Sequence, residues 1–243
     1  MGIVVRQSVK SLIINYAGAL LGLLGMFYLF PKILTPEEFG AYRLIIELTT
    51  VLSGFALFGA HYSSNKYYPY FVNPANNDNG FLGLIFGICS IGLILVLTAV
   101  LVFQKDLLGL FNGAAYSLDN SLVLILCVFL LFNVLILLAN SLSANYGRIA
   151  KPYLAKEVGL RILILLALVL YALLDLSFIQ FLIMAAAGYG LVFLIDLYFI
   201  NSERKISFKL NVGFLKENRA LIKDMSRYSG FLFFSSLSGL IIG

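Results

Sequence analysis

Long uninterrupted apolar runs constrain this chain more than any other feature. A helix crosses the roughly 30 Å hydrocarbon core of a membrane with about 20 mostly apolar residues. Six such runs lie at 11–30, 44–62, 81–103, 121–142, 159–174 and 177–200. A seventh run begins at Tyr228. Hydrophobic residues make up 61% of the 243 residues and charged residues only 12%, which leaves too little polar surface for a water-soluble globule. The sequence therefore predicts an all-α polytopic membrane protein.

The last two of the six spans come from one stretch that has to be divided. The stretch from Ile162 to Ile200 is too long for a single crossing and carries only Asp175 and Asp196 as charges. We place a tight helical hairpin at residues 174–177, where Asp175 or Ser177 can cap the following helix.

The region after the sixth span is charged and amphipathic, unlike the apolar spans before it. Basic residues are frequent between positions 201 and 227, and the apolar residues from position 214 onward share one helical face: Phe214, Leu215, Leu221, Ile222 and Met225. This pattern predicts an amphipathic helix that lies in the inner membrane interface. The run from Tyr228 to Gly243 would reach about 24 Å as a helix, short of a full crossing. We therefore expect a six-helix lobe over 1–200, a linker over 201–227 and the truncated start of a second lobe over 228–243.

Lys and Arg are unevenly divided between the two sides of the predicted bundle. With the N-terminus inside, fourteen lie on the inner side and three, Lys32, Arg43 and Lys105, lie on the outer side. Cytoplasmic loops are enriched in Lys and Arg, so this bias predicts a cytoplasmic N-terminus. The net charge of +5 is then a topology signal and a contact for anionic membrane lipids, and we expect no nucleic-acid partner.

The sequence lacks the residues that most membrane enzymes need. His61 is the single histidine, and Cys89 and Cys127 both lie inside apolar runs, so no metal cluster or disulfide framework is predicted. The motifs G-x-x-x-x-G-K-S/T, H-E-x-x-H and G-x-S-x-G are absent. No soluble segment is large enough for a nucleotide-sugar site. We therefore expect neither an enzyme nor a bound cofactor.

The second span carries the most informative polar residues. On an unbroken helix, one face holds Arg43, Glu47, Thr50, Gly54 and His61. Arg43 and Glu47 are four residues apart and can pair. Ionisable groups inside a membrane normally face the protein interior or a water-filled cavity. Two interpretations stay open: a structural Arg–Glu pair with His61 at the inner interface, or a face that lines a polar path.

Polar residues on later spans give weaker signals. Asn133 and Asn140 are seven residues apart and share a face, which is typical of interhelical hydrogen bonds. Asp196 lies about one turn from the inner end of the sixth span. We expect it to pair with a basic residue, and proton or sodium coupling is the alternative, for which Glu47 is the second candidate.

Small residues mark close packing on two spans. Asn15 shares a face of the first span with Gly18 and Gly22, and Gly83 and Gly87 repeat the spacing on the third. The G-x-x-x-G spacing predicts close approach of two helices. Asn15 and Asn140 are lesser candidates for contact with a polar substrate.

The joint between the first two spans is a helix start. Thr35 can cap, Pro36 suits the first helical position, and Glu37 and Glu38 favour the positive end of the helix dipole. The second helix is therefore predicted to begin at Pro36, outside the membrane.

The same joint carries a family resemblance. The segment Leu34-Thr35-Pro36-Glu37-Glu38-Phe39-Gly40, with Asn15-Tyr16 before it and Lys66-Tyr67-Tyr68-Pro69-Tyr70-Phe71 after it, resembles the start of bacterial polysaccharide flippases. These are the Wzx-type O-antigen transporters of the multidrug/oligosaccharidyl-lipid/polysaccharide (MOP) superfamily, which have a MATE-like fold. The resemblance in sequence covers about residues 5–72.

The resemblance implies a function and a location. Members of this family have two six-helix lobes around a central cavity in the cytoplasmic (inner) membrane, so the chain would hold the first lobe and lack the C-terminal one. The implied cargo is a polyprenyl-diphosphate-linked oligosaccharide for lipopolysaccharide or other surface polysaccharide, moved by alternating access. Arg43 would then be a cavity cation for the diphosphate, oriented by Glu47, with His61, Asn15 and Asn140 as sugar or ion contacts.

Three rival functions remain open at this point. A MATE-like exporter of cationic drugs would favour an acidic cavity, and the spans offer only Glu47 and Asp196 against Arg43. A membrane-embedded polymerase or acyltransferase would need a catalytic base or nucleophile, commonly with large outer loops. A scaffold without transport activity is the third alternative.

Overall fold

The protein is helical throughout the part that the structure describes. The computed structural model describes residues 3–109, 120–146, 150–203 and 208–242, and these residues contain no β-strand. Five of the helical segments are long and apolar enough to cross a membrane: Val9–Ile33, Pro36–Leu57, Asp78–Val102, Ser121–Asn145 and Phe178–Ser202. The prediction of an all-α, multi-pass membrane protein is therefore confirmed.

Twelve α-helical elements are described, and they occur in the following order along the chain. The first six are α1 (Ile3–Leu24), α2 (Phe30–Ile33), α3 (Pro36–Leu57), α4 (Ala60–Tyr67), α5 (Phe81–Val102) and α6 (Gln104–Gly109). The second six are α7 (Asn120–Asn145), α8 (Ala150–Leu154), α9 (Leu160–Leu173), α10 (Phe178–Glu203), α11 (Val212–Glu217) and α12 (Arg219–Ile242). A π-helical turn at Gly25–Leu29 joins α1 to α2, and a second one at Ala155–Gly159 joins α8 to α9.

The fifth predicted span, 159–174, is the apolar end of a longer helix. The described helix runs from Ala150 through the π turn to Leu173 and is not among the five membrane-crossing candidates. Its N-terminal half carries four charged residues, namely Lys151, Lys156, Glu157 and Arg161. The predicted span therefore has a charged N-terminal extension on the same helix.

The start of α3 follows the local chemistry of its sequence. The Oγ1 atom of Thr35 accepts a hydrogen bond from the Glu38 N–H at 3.3 Å, and Glu38 Oε2 accepts one from the Thr35 N–H at 2.9 Å. Pro36 occupies the first helical position, as predicted. The other Glu38 oxygen accepts a hydrogen bond from the Tyr171 hydroxyl at 2.9 Å, which ties the start of α3 to the end of α9.

The end of α3 departs from the prediction. The span was expected to run unbroken to position 62, but α3 ends at Leu57, where Phe58 and Gly59 adopt left-handed backbone angles with φ of 46° and 69°. Helix α4 starts in a new direction at Ala60. Gly59 is required here, because a Cβ would collide with the Ser229 carbonyl oxygen of α12. The face predicted for residues 43–61 is therefore broken before His61.

The hairpin between α9 and α10 is confirmed. Helix α9 ends at Leu173, and Asp175 is left-handed with φ of 47°. Ser177 and Gln180 cap each other's backbone: the Ser177 N–H donates to Gln180 Oε1 at 2.8 Å, and the Gln180 N–H donates to Ser177 Oγ at 3.3 Å. Ser177 is thus the capping residue of the two that the sequence offered.

Two apolar clusters hold the helices together. We name them outer and inner after the predicted orientation of the chain. The outer cluster joins α3, α7, α9 and α10 around the fully buried Ile45, Phe129, Leu168 and Phe181. The inner cluster joins α3, α4, α5 and α7 around residues such as Leu57, Phe71, Phe81 and Leu130. A cavity lies beside the outer cluster, and Tyr42, Leu160 and Ile164 belong to both.

The predicted amphipathic helix is divided at Asn218 between α11 and the first turns of α12, and it packs on protein. Helix α12 passes through positions 227 and 228 without a break, so the expected boundary between linker and seventh span is not a helix boundary. The apolar face packs against the inner cluster, and Met225 is buried there. Helix α12 is fixed to α4 by a Ser229–Ser63 hydrogen bond of 2.7 Å and by the Tyr67 hydroxyl, which donates to Asp224 at 2.5 Å. Much of this face therefore packs on the protein, and its other four residues are half-buried.

Candidate functional site

A cavity of about 450 Å³ lies between the first helix, α3, α7 and the helix formed by α8 and α9. Most of its wall is apolar. Its charged lining residues come from two places, Arg43 and Glu47 on α3 and Lys156, Glu157 and Arg161 on the longer helix. Thr50, Asn133 and Tyr189 add polar groups. The cavity opens to the surface, since the Glu47 side chain is 63% exposed.

The charged group toward the predicted outer end is a balanced pair of residues one turn apart on α3. Arg43 Nη2 lies 3.3 Å from Glu47 Oε1, the spacing expected for residues four apart on a helix. Arg43 Nη1 lies 3.4 Å from the Met26 sulfur on the facing π turn. One cation therefore meets one carboxylate, and the pair carries no net charge.

The charged group toward the predicted inner side has two cations and one carboxylate. Glu157 Oε2 lies 3.2 Å from Arg161 Nη2, and Glu157 Oε1 lies 3.6 Å from Lys156 Nζ. Arg161 Nη1 is buried and has no hydrogen-bond partner among the described residues. We name Lys156, Glu157 and Arg161 the helix-five cluster, after the fifth predicted span, which corresponds to the helix formed by α8 and α9. It carries one positive charge more than its single carboxylate balances.

Two glycines of α1 make room for this cluster. A Cβ on Gly22 would lie 3.3 Å from Arg161 Nη1, and a Cβ on Gly18 would lie 2.5 Å from the Glu157 carbonyl oxygen. The close packing predicted from the G-x-x-x-G spacing is therefore confirmed for these two positions. Gly83 also packs against backbone, since a Cβ on it would collide with the Phe208 carbonyl oxygen. Gly87 has open space beside it.

Both π turns contribute to the cavity wall. Gly25 and Met26 belong to the first turn, and Lys156 and Glu157 belong to the second. A π turn widens a helix locally and shifts the side chains that follow it, and such turns are frequent at functional sites. Two of them in the wall of one cavity place an irregular backbone where the charged groups are concentrated.

The structure brings together only part of the predicted site. Arg43 and Glu47 line the cavity, as the second-span pattern suggested for a polar path. Asn15 is exposed on α1 and is not among the lining residues.

His61 lies away from the cavity, because the left-handed residues at 58 and 59 turn α4 away from the face of α3. Its ring lies against Tyr62, with centroids 3.9 Å apart. Its Nδ1 atom is buried without a hydrogen-bond partner among the described residues.

The two asparagines of α7 behave differently from each other. Asn133 donates to Ser53 Oγ of α3 at 2.9 Å, which is the predicted interhelical hydrogen bond. Asn140 instead donates to the Ile136 carbonyl of its own helix at 2.8 Å, and its Oδ1 atom has no partner among the described residues. Asn140 is not a lining residue of the cavity.

Asp196 is completely buried on α10 and does not line the cavity. We expected it to pair with a basic residue. Its two carboxylate oxygens have no hydrogen-bond partner in the described part of the chain, although the charge of Lys156 acts on it. The expected direct ion pair is therefore not formed with any described basic residue.

Sequence reasoning missed the helix-five cluster. Lys156 and Arg161 were counted as inner-side charges that set the topology, since they stand just before an apolar run. The signal that could have identified them is their spacing: Glu157 and Arg161 are four residues apart and flank Gly159, so their side chains share one face. Only the packing of α1 against this helix turns that face into a cavity wall.

Comparisons of the chain with protein-family models, with curated proteins and with solved structures gave no match. The resemblance to polysaccharide flippases therefore stays a prediction from the sequence.

Proposed function

We propose that this chain is the N-terminal lobe of a flippase that carries a polyprenyl-diphosphate-linked oligosaccharide across the bacterial cytoplasmic membrane. The observation that carries the proposal is a cavity with three cations and two carboxylates among its described lining residues, inside a multi-pass membrane protein. Charged groups at that depth are costly unless they are paired or hydrated, and they commonly mark substrate pathways.

The chemistry of the cargo fits such a cavity. Sugars and diphosphates cannot enter hydrocarbon unaided, because each polar group without a hydrogen-bond partner costs several kcal/mol there. Arg and Lys offer charge-assisted hydrogen bonds to phosphate oxygens. Thr50, Asn133 and Tyr189 offer further polar contacts on the same wall. A polyprenyl tail can remain in the lipid while the head group occupies the cavity.

The excess of Lys and Arg on the inner side supports a cytoplasmic N-terminus. In this orientation the helix-five cluster lies toward the cytoplasm and the Arg43–Glu47 pair toward the outside. A cargo that enters from the cytoplasm would meet the cluster first and the pair later. Alternating access would then move the head group outward past both.

A drug exporter for cationic compounds is the second candidate. The buried carboxyl of Asp196 favours it, because a carboxylate without a partner suits proton or sodium coupling. The charge of the cavity opposes it, since cations outnumber carboxylates among the described lining residues.

The test is translocation by the full-length protein in liposomes. The cargo is a polyprenyl-diphosphate disaccharide with a nitrobenzoxadiazole label on its head group, and dithionite bleaches only the label in the outer leaflet. We expect bleaching beyond the outer-leaflet fraction, and we expect Arg43→Ala to slow translocation about tenfold through loss of a charge-assisted contact.

Lys32→Ala is the matched control, since Lys32 also lies near the outer end but stacks on Tyr28, with 5.5 Å from Nζ to the ring centroid, and does not line the cavity. Its rate should equal that of the wild type. The proposal fails if the wild-type protein does not translocate this cargo while it translocates an organic cation, or if Arg43→Ala and Lys32→Ala have the same rate.

A further inference from the structure

We infer that the helix-five cluster is an anion site for a phosphate-bearing group, separate from the Arg43–Glu47 pair. The inference deepens the proposed function, because the diphosphate of the proposed cargo is the ligand that it assigns to the cluster. The first argument is charge balance. Arg43 and Glu47 neutralise each other at 3.3 Å, whereas Glu157 is shared between Arg161 at 3.2 Å and Lys156 at 3.6 Å.

The second argument concerns hydrogen-bond donors. A guanidinium has five N–H donors and an ammonium has three. Arg161 uses a donor of Nη2 on Glu157, and its buried Nη1 has no partner among the described residues. Lys156 contacts the same carboxylate at a distance of 3.6 Å, which is long for a hydrogen bond. The cluster therefore has donors to spare as well as a surplus charge.

The third argument concerns position. Lys156 and Arg161 lie on the same cavity wall, and about a third of each side chain is exposed. Gly22 of α1 leaves room for the Arg161 guanidinium, which lies against the glycine at contact distance. Because both side chains are partly exposed on this wall, an anion in the cavity can contact each of them. Asp196, the other acid near Lys156, does not line the cavity and cannot fill this role directly.

The ligand class follows from the two kinds of cation. A guanidinium and an ammonium around one position match a tetrahedral anion with several oxygens, and a diphosphate offers oxygens to both. Two sources supply such a group at the inner face of a membrane: a prenyl diphosphate and the head group of an anionic phospholipid. Two separate cations, each able to bind a different phosphate group, favour the diphosphate over a head group with a single phosphate.

The experiment measures equilibrium binding of radiolabelled pyrophosphate to the full chain in phosphatidylcholine nanodiscs. We expect Lys156→Ala and Arg161→Ala each to weaken binding about tenfold. Lys151→Ala removes a charge from the same helix, where Lys151 lies over the Phe199 ring at 5.2 Å outside the cavity, and should leave binding within about twofold. Equal binding by the wild type, Lys156→Ala and Arg161→Ala overturns the inference.

Two further variants keep the test decisive if Arg161→Ala does not fold. Glu157→Gln removes the carboxylate that competes with the ligand, so it should strengthen pyrophosphate binding severalfold, whereas a purely structural cluster would show no gain. Asp196→Asn should leave binding within about twofold. A tenfold gain in Asp196→Asn would mean that Asp196 already balances the cluster, and it would overturn the inference.

Competition separates the two sources of phosphate. Geranylgeranyl diphosphate should displace pyrophosphate from the wild type in phosphatidylcholine nanodiscs, and phosphatidylglycerol nanodiscs should bind pyrophosphate nearly as well. If phosphatidylglycerol blocks the site and geranylgeranyl diphosphate does not, the site binds a phospholipid head group and the assignment is wrong. The binding readout does not depend on translocation, so a failed transport assay and a failed anion site are distinguishable.

Discussion

The two charged groups of the cavity differ in how completely the protein satisfies them. At the outer group, Arg43 has one carboxylate and the Met26 sulfur as partners. At the inner group, Arg161 and Lys156 share Glu157, and a buried guanidinium nitrogen has no partner among the described residues. A balanced pair can be purely structural, while a group that lacks one anion is completed by a ligand or by water. The presence of a cation thus identifies Arg43 as a candidate anion site, whereas the balance of charges identifies the helix-five cluster.

The largest effect should come from closing the space beside Arg161. In Gly22→Leu the new side chain would occupy the position of the guanidinium, so pyrophosphate binding should fall by more than tenfold, and overpacking should cost about 1–3 kcal/mol of stability. Binding in nanodiscs and thermal unfolding in detergent measure the two effects. Gly87→Leu is the control, because Gly87 has no neighbour within 4 Å, and it should change neither. Equal behaviour of the two variants would contradict the role given to the α1 glycines.

Removing the carboxylate of the outer pair should give that pair the same surplus of positive charge as the helix-five cluster. Glu47→Gln leaves Arg43 without its carboxylate, so the outer group should become short of an anion as well. We expect a second pyrophosphate site, or about tenfold tighter total binding, in equilibrium titrations. An unchanged stoichiometry and affinity would show that charge balance does not control anion binding in this cavity.

Removing Arg43 should separate binding from transport. Arg43→Ala should change pyrophosphate affinity by about twofold or less, because the balanced pair contributes little to capture of the anion. Translocation should still slow about tenfold, as proposed above, if the cargo meets Arg43 only on its way out. A parallel loss of binding and transport would mean that the two groups act as a single site.

The smallest effects should come from contacts outside both groups. Tyr67→Phe removes the hydrogen bond to Asp224 that fixes α12 on α4, and it should cost about 1–2 kcal/mol without changing pyrophosphate binding. Burial, followed by the Asp224 hydrogen bond, raises the pKa of Tyr67 to about 12 from 10.0. The folded state thus binds this proton more tightly than the unfolded one, so its contribution is complete below pH 10 and is lost as the pH rises through about 12. Unfolding curves at pH 9 and 12 should differ more in the wild type than in Tyr67→Phe.

Local chemistry made part of the fold predictable. The start of α3 at Pro36 and the hairpin at Ser177 follow from residues that cap their own backbone within three positions. Such contacts need no knowledge of the rest of the chain. The break at Phe58 was not predictable in this way, because a left-handed phenylalanine is unfavourable locally and is held by the packing of α12 on Gly59. His61 was misplaced for that reason.

The candidate site was half predictable for a similar reason. Arg43, Glu47 and Thr50 lie on one face of one helix, so periodicity alone groups them. The helix-five cluster lines the same cavity from another helix, and its place there depends on how α1 packs against that helix. The hydropathy pattern also did not reveal the cluster. The predicted span of 159–174 excludes Lys156 and Glu157, so the pattern places the charged turn in a loop.

The central claim is that the charged face of α3 borders a water-accessible cavity and not lipid. Thiol accessibility tests it most directly in a chain whose Cys89 and Cys127 have been replaced by Ala. Thr50→Cys, on the cavity wall, should react rapidly with a membrane-impermeant methanethiosulfonate reagent in proteoliposomes, and excess pyrophosphate should slow the reaction. Ile94→Cys, on the exposed apolar face of α5, should react at least tenfold more slowly because thiolates do not form in lipid. Equal rates at positions 50 and 94 would place the face of α3 against acyl chains and contradict the account.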